Sequence, residues 1–149
     1  MIHGVVVLVW LGLCALQDGR QRRIANRLTL GAALSALIYL ACTGTTWLGG
    51  AAVEGGWALA VALALSLPGY ALGRFGAGDV KLLAALGLAG TVDCLLWSLI
   101  VAVVAQGGWV LAGQRLAVRL SKTGLRASKK QPFAPCVLVG FTLYWLWVQ

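Results

Sequence analysis

Acidic side chains are scarce in this chain: four Asp and Glu stand against twelve Lys and Arg in 149 residues, with one histidine and three prolines. The lone His3 lies at the start of the first apolar run, so a Ser-His or Cys-His arrangement would have no base elsewhere in the molecule. There is no H-E-x-x-H and no His/Cys cluster, which argues against a metal site. Cys14, Cys42, Cys94 and Cys136 are widely separated and form no C-x-x-C pair, so zinc ligation is not expected. They are read as small buried residues, although the topology argued below would allow a Cys42–Cys94 disulfide. No basic residue precedes the first apolar run, whereas four arginines follow it, the reverse of a cleavable signal peptide. No internal repeat or low-complexity tract is present. The apolar runs do not alternate in polarity, which excludes a membrane β-barrel.

What remains is dominated by long apolar segments. The chain is 60% hydrophobic, and its mean hydropathy is +0.89. A hydrocarbon core of ~30 Å takes about 20 helical residues to cross. The pattern predicts an all-α integral membrane protein, a single unit over 1–149, with spans near 2–17, 28–44, 50–72, 80–91, 95–113 and 132–148. Twenty glycines against three prolines suit helices packed through small residues. The apolar stretch 80–113 is too long for one ordinary span; Gly, Thr and Asp at 87–93 predict a turn inside it.

Charge fixes the expected orientation. Cytoplasmic loops carry the excess of Lys and Arg. With six spans, Arg20 to Arg27, Arg74 and Lys81, and Arg115 to Lys130 all fall on one face, which accounts for all twelve basic residues. Five spans would move the last group to the opposite face. Six transmembrane helices are therefore expected, with both termini outside and the polar loops cytoplasmic. The stretch 114–131 spaces Arg115, Arg119, Lys122, Arg126 and Lys130 as a surface-lying amphipathic segment would, attracted to anionic lipid of the cytoplasmic leaflet rather than to nucleic acid. Trp47, Trp145 and Trp147 sit near span ends, as an interfacial aromatic belt requires.

The same topology divides the acids. Asp18 and Asp79 fall on the basic face, Glu54 and Asp93 on the other. Each of the first two has a plain explanation: Asp18 as a loop acid neutralised by Arg20, Arg22 or Arg23, and Asp79 as the N-terminal cap of the helix that follows it. Gly76 and Gly78, however, permit positive φ and close backbone approach, a means of tucking a carboxylate against a neighbouring helix. Two carboxylates sharing a partly dry site cannot both ionise cheaply. One keeps a proton, and the pair can then activate water as base and acid. A helix N-terminus favours the charged form of Asp79, which would make Asp18 the protonated partner.

Three segments carry a resemblance. "GAGD" at 76–79 with Lys81 resembles the G-x-G-D-x-K signature of the type IV prepilin peptidases, a group of membrane aspartic proteases. "DGRQRRIANRLT" at 18–29 is similar to the family's other aspartate segment, and "QPFAPCVLVG" at 131–140 to the proline-bearing start of its last helix. The resemblance implies that Asp18 and Asp79 are the catalytic pair. It implies supporting roles around the site for Gly76, Gly78, Lys81 and Asn26, and structural ones for Pro132 and Pro135. It further implies no cofactor, and cleavage of a short basic leader from prepilin or pseudopilin precursors at the cytoplasmic face of the bacterial inner membrane. Ala25 stands where the family usually has proline, which predicts a less rigid loop after Asp18. The chain lacks the cysteine-bearing amino-terminal region of the longer, methylating members, and so resembles the short tight-adherence (Flp) type. Two other readings use the same acids: a related GxGD protease acting on signal peptides, and a non-enzymatic membrane protein for assembly or transport.

Overall fold

A computed structural model describes residues 2–21, 25–73, 75–120 and 133–148, the side chains of 113–120 excepted. Six helices follow one another: α1 (Ile2–Gln21), α2 (Asn26–Thr43), α3 (Ala52–Ala71), α4 (Ala77–Ala89), α5 (Val92–Leu120) and α6 (Ala134–Val148). Each corresponds to one predicted apolar segment. By length and apolar composition three are able to cross a membrane, namely Ile2–Gln21, Ala52–Ala71 and Val92–Ala112, and α6 is a shorter apolar helix.

The turn expected within 80–113 falls at Gly90 and Thr91. Gly90 closes α4, its N–H donating to the Leu86 carbonyl at 3.0 Å. Thr91 opens α5: its hydroxyl oxygen accepts from the Cys94 N–H at 3.4 Å, the usual duty of an N-cap threonine. At the other end of the sequence, the basic segment expected to lie on the membrane surface falls mostly outside the described residues, as does Pro132.

Helix α4 is the centre of the bundle. From Leu82 to Gly90 every residue but Ala84 is buried, as expected for a helix that is apolar on all sides. It packs between α2 and α3 and touches α5, while α6 joins α1 to α5. The helices around it turn large side chains outward, among them Val9, Leu34, Trp57, Val104 and Trp109. Exposure of that extent is foreign to a water-soluble monomer and is what a helix bundle facing lipid presents.

Small residues set the closest helix approach. A Cβ built on Gly87 would lie 2.9 Å from the Ala58 carbonyl carbon and oxygen and 3.0 Å from the Leu59 nitrogen, so α3 and α4 touch backbone to backbone there. Gly56, one residue from the buried Gly55, has nothing within 4 Å. The two glycines therefore respond oppositely to alanine. Gly87→Ala is expected to destabilise the bundle by about 1–3 kcal/mol through overpacking, whereas Gly56→Ala gains about 0.5–1 kcal/mol of helix propensity. Unfolding in detergent or lipid nanodiscs measures both.

Contacts along the helices give their directions. Gly4 of α1 packs on Trp145 near the end of α6, while Asp18 near the end of α1 bonds Ala134 at the start of α6. Asn26 at the start of α2 bonds Lys81 near the start of α4, and Leu48 beyond α2 donates to Ala89 at the end of α4. The ends of α1 and α3 and the starts of α2, α4 and α6 thus gather at one end of the bundle.

The cysteines are free: Cys94 is buried, Cys42 is exposed, and the disulfide that the topology would allow is not formed.

Candidate active site

Residues Gly4, Val7, Leu11, Cys14 and Asp18 of α1 are buried, and their spacing of three and four places them on one face of the helix. Asp18 is therefore the next member of an apolar stripe packed against α6. It is neither in a loop nor exposed: it lies within α1, which runs on to Gln21, and only 7% of its surface is accessible. The loop placement of the plain explanation does not describe it; Arg22 and Arg23 lie outside the described residues. A carboxylate so placed needs a partner. Its Oδ2 accepts the backbone N–H of Ala134 at 3.0 Å, at the first turn of α6.

That N–H is one of the four that a helix start leaves unpaired. Phe133 occupies the cap position, its carbonyl accepting from Cys136 and Val137. Pro135 fits in the first turn because it has no N–H to lose there. In effect, a side chain of α1 caps α6.

Asp79 belongs to the first turn of α4. Helix α4 begins at Ala77, so Gly78 and Asp79 are helical. The positive φ expected of Gly76 and Gly78 is not used; the described glycines with positive φ are Gly44, Gly49 and Gly73. Gly76 adopts extended backbone, φ −82 and ψ 155, as the N-cap. Its N–H donates to Asp79 Oδ2 at 2.9 Å, the reciprocal half of a capping box. Glycine matters at position 76 for space instead: a Cβ there would stand 3.2 Å from Asp79 Oδ2. Capping by Asp79 and closeness to Asp18 are both present in the structure.

Burial pushes the Asp79 carboxyl up to about 6, against the pull of the Gly76 N–H, and the negative charge of Asp18 adds to the rise. The two acids are within electrostatic reach of each other. The helix start that meets Asp18 belongs to α6, and burial of Asp79 outweighs the pull of the Gly76 N–H.

Lys81 Nζ donates to Asn26 Oδ1 at 2.9 Å, tying the start of α4 to the start of α2. Ala25, expected to loosen this region, has φ −63, the value a proline would impose. Its N–H bonds Gln17 Oε1 at 3.2 Å, so the segment is held from α1 by a bond that proline would lack.

Sequence reasoning missed an aromatic pair at this end. Phe75 lies across Gly69 of α3 and meets Phe133 edge to face, with ring centroids 5.1 Å apart. Phe133 adjoins the N–H given to Asp18, and Phe75 adjoins the cap residue of Asp79. The missing side chain at Gly69 was the available signal. A groove lined by Leu13, Leu16, Gln17, Arg20, Gln21 and Leu28 runs along another face of α1 and includes neither aspartate.

The sequence profile of the type IV leader peptidase family matches residues 5–111. The chain belongs to this family. The matched segment includes both Asp18 and Asp79. No curated protein and no solved structure gives a significant match. As a type IV leader peptidase family member with long apolar helices, the chain is a membrane protein of peptidase type. Its substrates within that family are prepilin-like in general.

Proposed function

We propose that this chain is an aspartic endopeptidase, a single unit over residues 1–149, that removes the short basic leader from Flp-type prepilins. The observation that carries this reading is the placement of Asp18 and Asp79 at one end of the bundle, close enough for the charge of one to raise the other. Such a pair supports general base and general acid catalysis in one site. Asp18 takes a proton from a water molecule as that water attacks the scissile carbonyl. Asp79, protonated, donates to the carbonyl oxygen. The tetrahedral intermediate then collapses with protonation of the leaving amine. Neither carboxyl becomes covalently bound to the substrate.

Sidedness supports the same reading. Six membrane crossings with both termini outside bring every Lys and Arg to the cytoplasmic face of the inner membrane, the face where the two aspartates lie. A leader sits there while the hydrophobic helix behind it remains in the bilayer. The basic segment 114–131 would hold that end against anionic lipid.

The purified protein in nanodiscs, mixed with a Flp-type prepilin, is expected to release a leader peptide. Amino-terminal sequencing of the product should show one cut at the boundary of the hydrophobic helix. If no prepilin from a pilus locus is cut while a signal peptide is, the related signal-peptide protease is the correct reading. If neither is cut, the peptidase proposal fails.

A further inference from the structure

Helix α3 presents Gly55, Ala58, Ala62 and Ser66 as its buried face. The stripe is small and apolar until its last member, which is a hydroxyl. Ser66 is fully buried, and its Oγ has no hydrogen-bond partner among the described residues. Hydroxyls elsewhere in these helices bond a carbonyl of the preceding turn: Thr29 bonds Asn26, Ser35 bonds Ala32, Ser98 bonds Cys94 and Thr142 bonds Leu138. Ser66 does not. A buried hydroxyl left unpaired is a liability that alanine would remove at no cost in volume.

The register of α3 against α4 says what lies opposite. Ala58 touches Gly87 backbone to backbone, and at the other end of the pair Gly69 meets Phe75. The helices are antiparallel. Eight residues forward from Ala58 along α3 is Ser66; eight residues back from Gly87 along α4 is Asp79. With the same rise per residue in both helices, the unpaired hydroxyl and the carboxyl stand at the same height in the bundle. Phe75 and Phe133 meet at this end of the bundle.

Resting on the dyad reading, we propose that Ser66 is a positioning residue for Asp79: its hydroxyl donates to the ionised Asp79 carboxylate through one bound water, and holds it facing Asp18. Asp79 Oδ2 is already engaged by the Gly76 N–H, which leaves Oδ1 for this bond. A hydroxyl can also accept from the protonated carboxyl by rotating. Charge-assisted bonds are the stronger ones, so the net effect of Ser66 is to favour the ionised form. The reaction requires Asp79 to give up its proton and recover it in each turnover, and Ser66 eases the first of these steps.

Among the described residues the groups around Asp79 are few. Asp18 of α1 acts on it by charge. Lys81, on its own helix, is engaged by Asn26 of α2. Arg27 of α2 is exposed. Glu54 of α3 and Asp93 of α5 lie at the far ends of the adjoining helices.

The chain contains three aspartates, so 13C-carboxyl-aspartate labelling gives three carboxyl signals to follow in nanodiscs, assigned with Asp18→Asn and Asp79→Asn. Ser66→Ala is expected to move the Asp79 midpoint upward by about half a pH unit or more, and Ser66→Thr to restore it. In the cleavage assay Ser66→Ala should lower kcat about tenfold with little change in KM. Its thermal stability should equal or exceed that of the wild type, since the orphaned hydroxyl is gone. An unchanged midpoint in Ser66→Ala overturns the proposal whatever happens to cleavage. A shifted midpoint in a protein that cuts no leader leaves the coupling standing and removes the peptidase reading instead.

Discussion

Asp18→Asn and Asp79→Asn, each alone, are expected to reduce kcat/KM for leader cleavage by about 10²–10⁴-fold while the protein remains folded. Each change removes one proton-transfer group and keeps the shape of the side chain. At position 18 the distinction between asparagine and alanine is informative. Asparagine retains an oxygen for the Ala134 N–H, which Asp18 accepts at 3.0 Å. Alanine strips the start of α6 of that cap and should cost a further 0.5–2 kcal/mol or so of stability, the usual value of a lost N-cap. Asp18→Asn should therefore be inactive at nearly wild-type stability, and Asp18→Ala inactive and less stable. Wild-type cleavage by either asparagine variant would end the dyad mechanism.

The second large effect is on pH dependence. Asp79 is raised from 3.8 to about 6, first by burial and further by the charge of Asp18. If its protonated form is the general acid, kcat/KM falls above about pH 6, approaching tenfold per unit, because that parameter follows the free enzyme. The limb for kcat should lie at higher pH, since substrate displaces water and makes ionisation harder still. Stability follows the sign of the same shift. The folded protein holds this proton more tightly than the unfolded chain, so Asp79 stabilises the fold fully in acid. That contribution is lost as pH rises from about 4 to about 6. Melting curves of wild type and Asp79→Asn across that window check it, because the variant has no proton to lose. A limb that stays in place when the carboxyl is replaced belongs to another group.

Much of the site can be read in the sequence when helix register is applied strictly. Asp18 continues the stripe Gly4, Val7, Leu11 and Cys14, all buried, so its burial follows from spacing alone. An eye drawn to the four arginines behind it reads the same acid as part of a loop. Ser66 continues Gly55, Ala58 and Ala62 in the same way. In both helices a polar residue stands where the pattern calls for a small apolar one. The role of Gly76 was half legible: the sequence indicates that a side chain is unwelcome there, but the reason is the 3.2 Å gap to Asp79 Oδ2 rather than an unusual φ.

The sequence by itself determined the helices, a turn within 87–93, and the pair of acids that topology returns to one end. Those follow from local hydropathy, capping chemistry and charge, each acting over a few residues. Only the tertiary structure decided what each acid meets. Asp79 is buried at the start of its own helix, whereas Asp18 meets the N–H of Ala134, 116 positions away. Dipoles of α4 and α6 both reach the site, and nothing in the order of residues says which helix start a carboxylate will meet. The packing of α1 on α6 settles it.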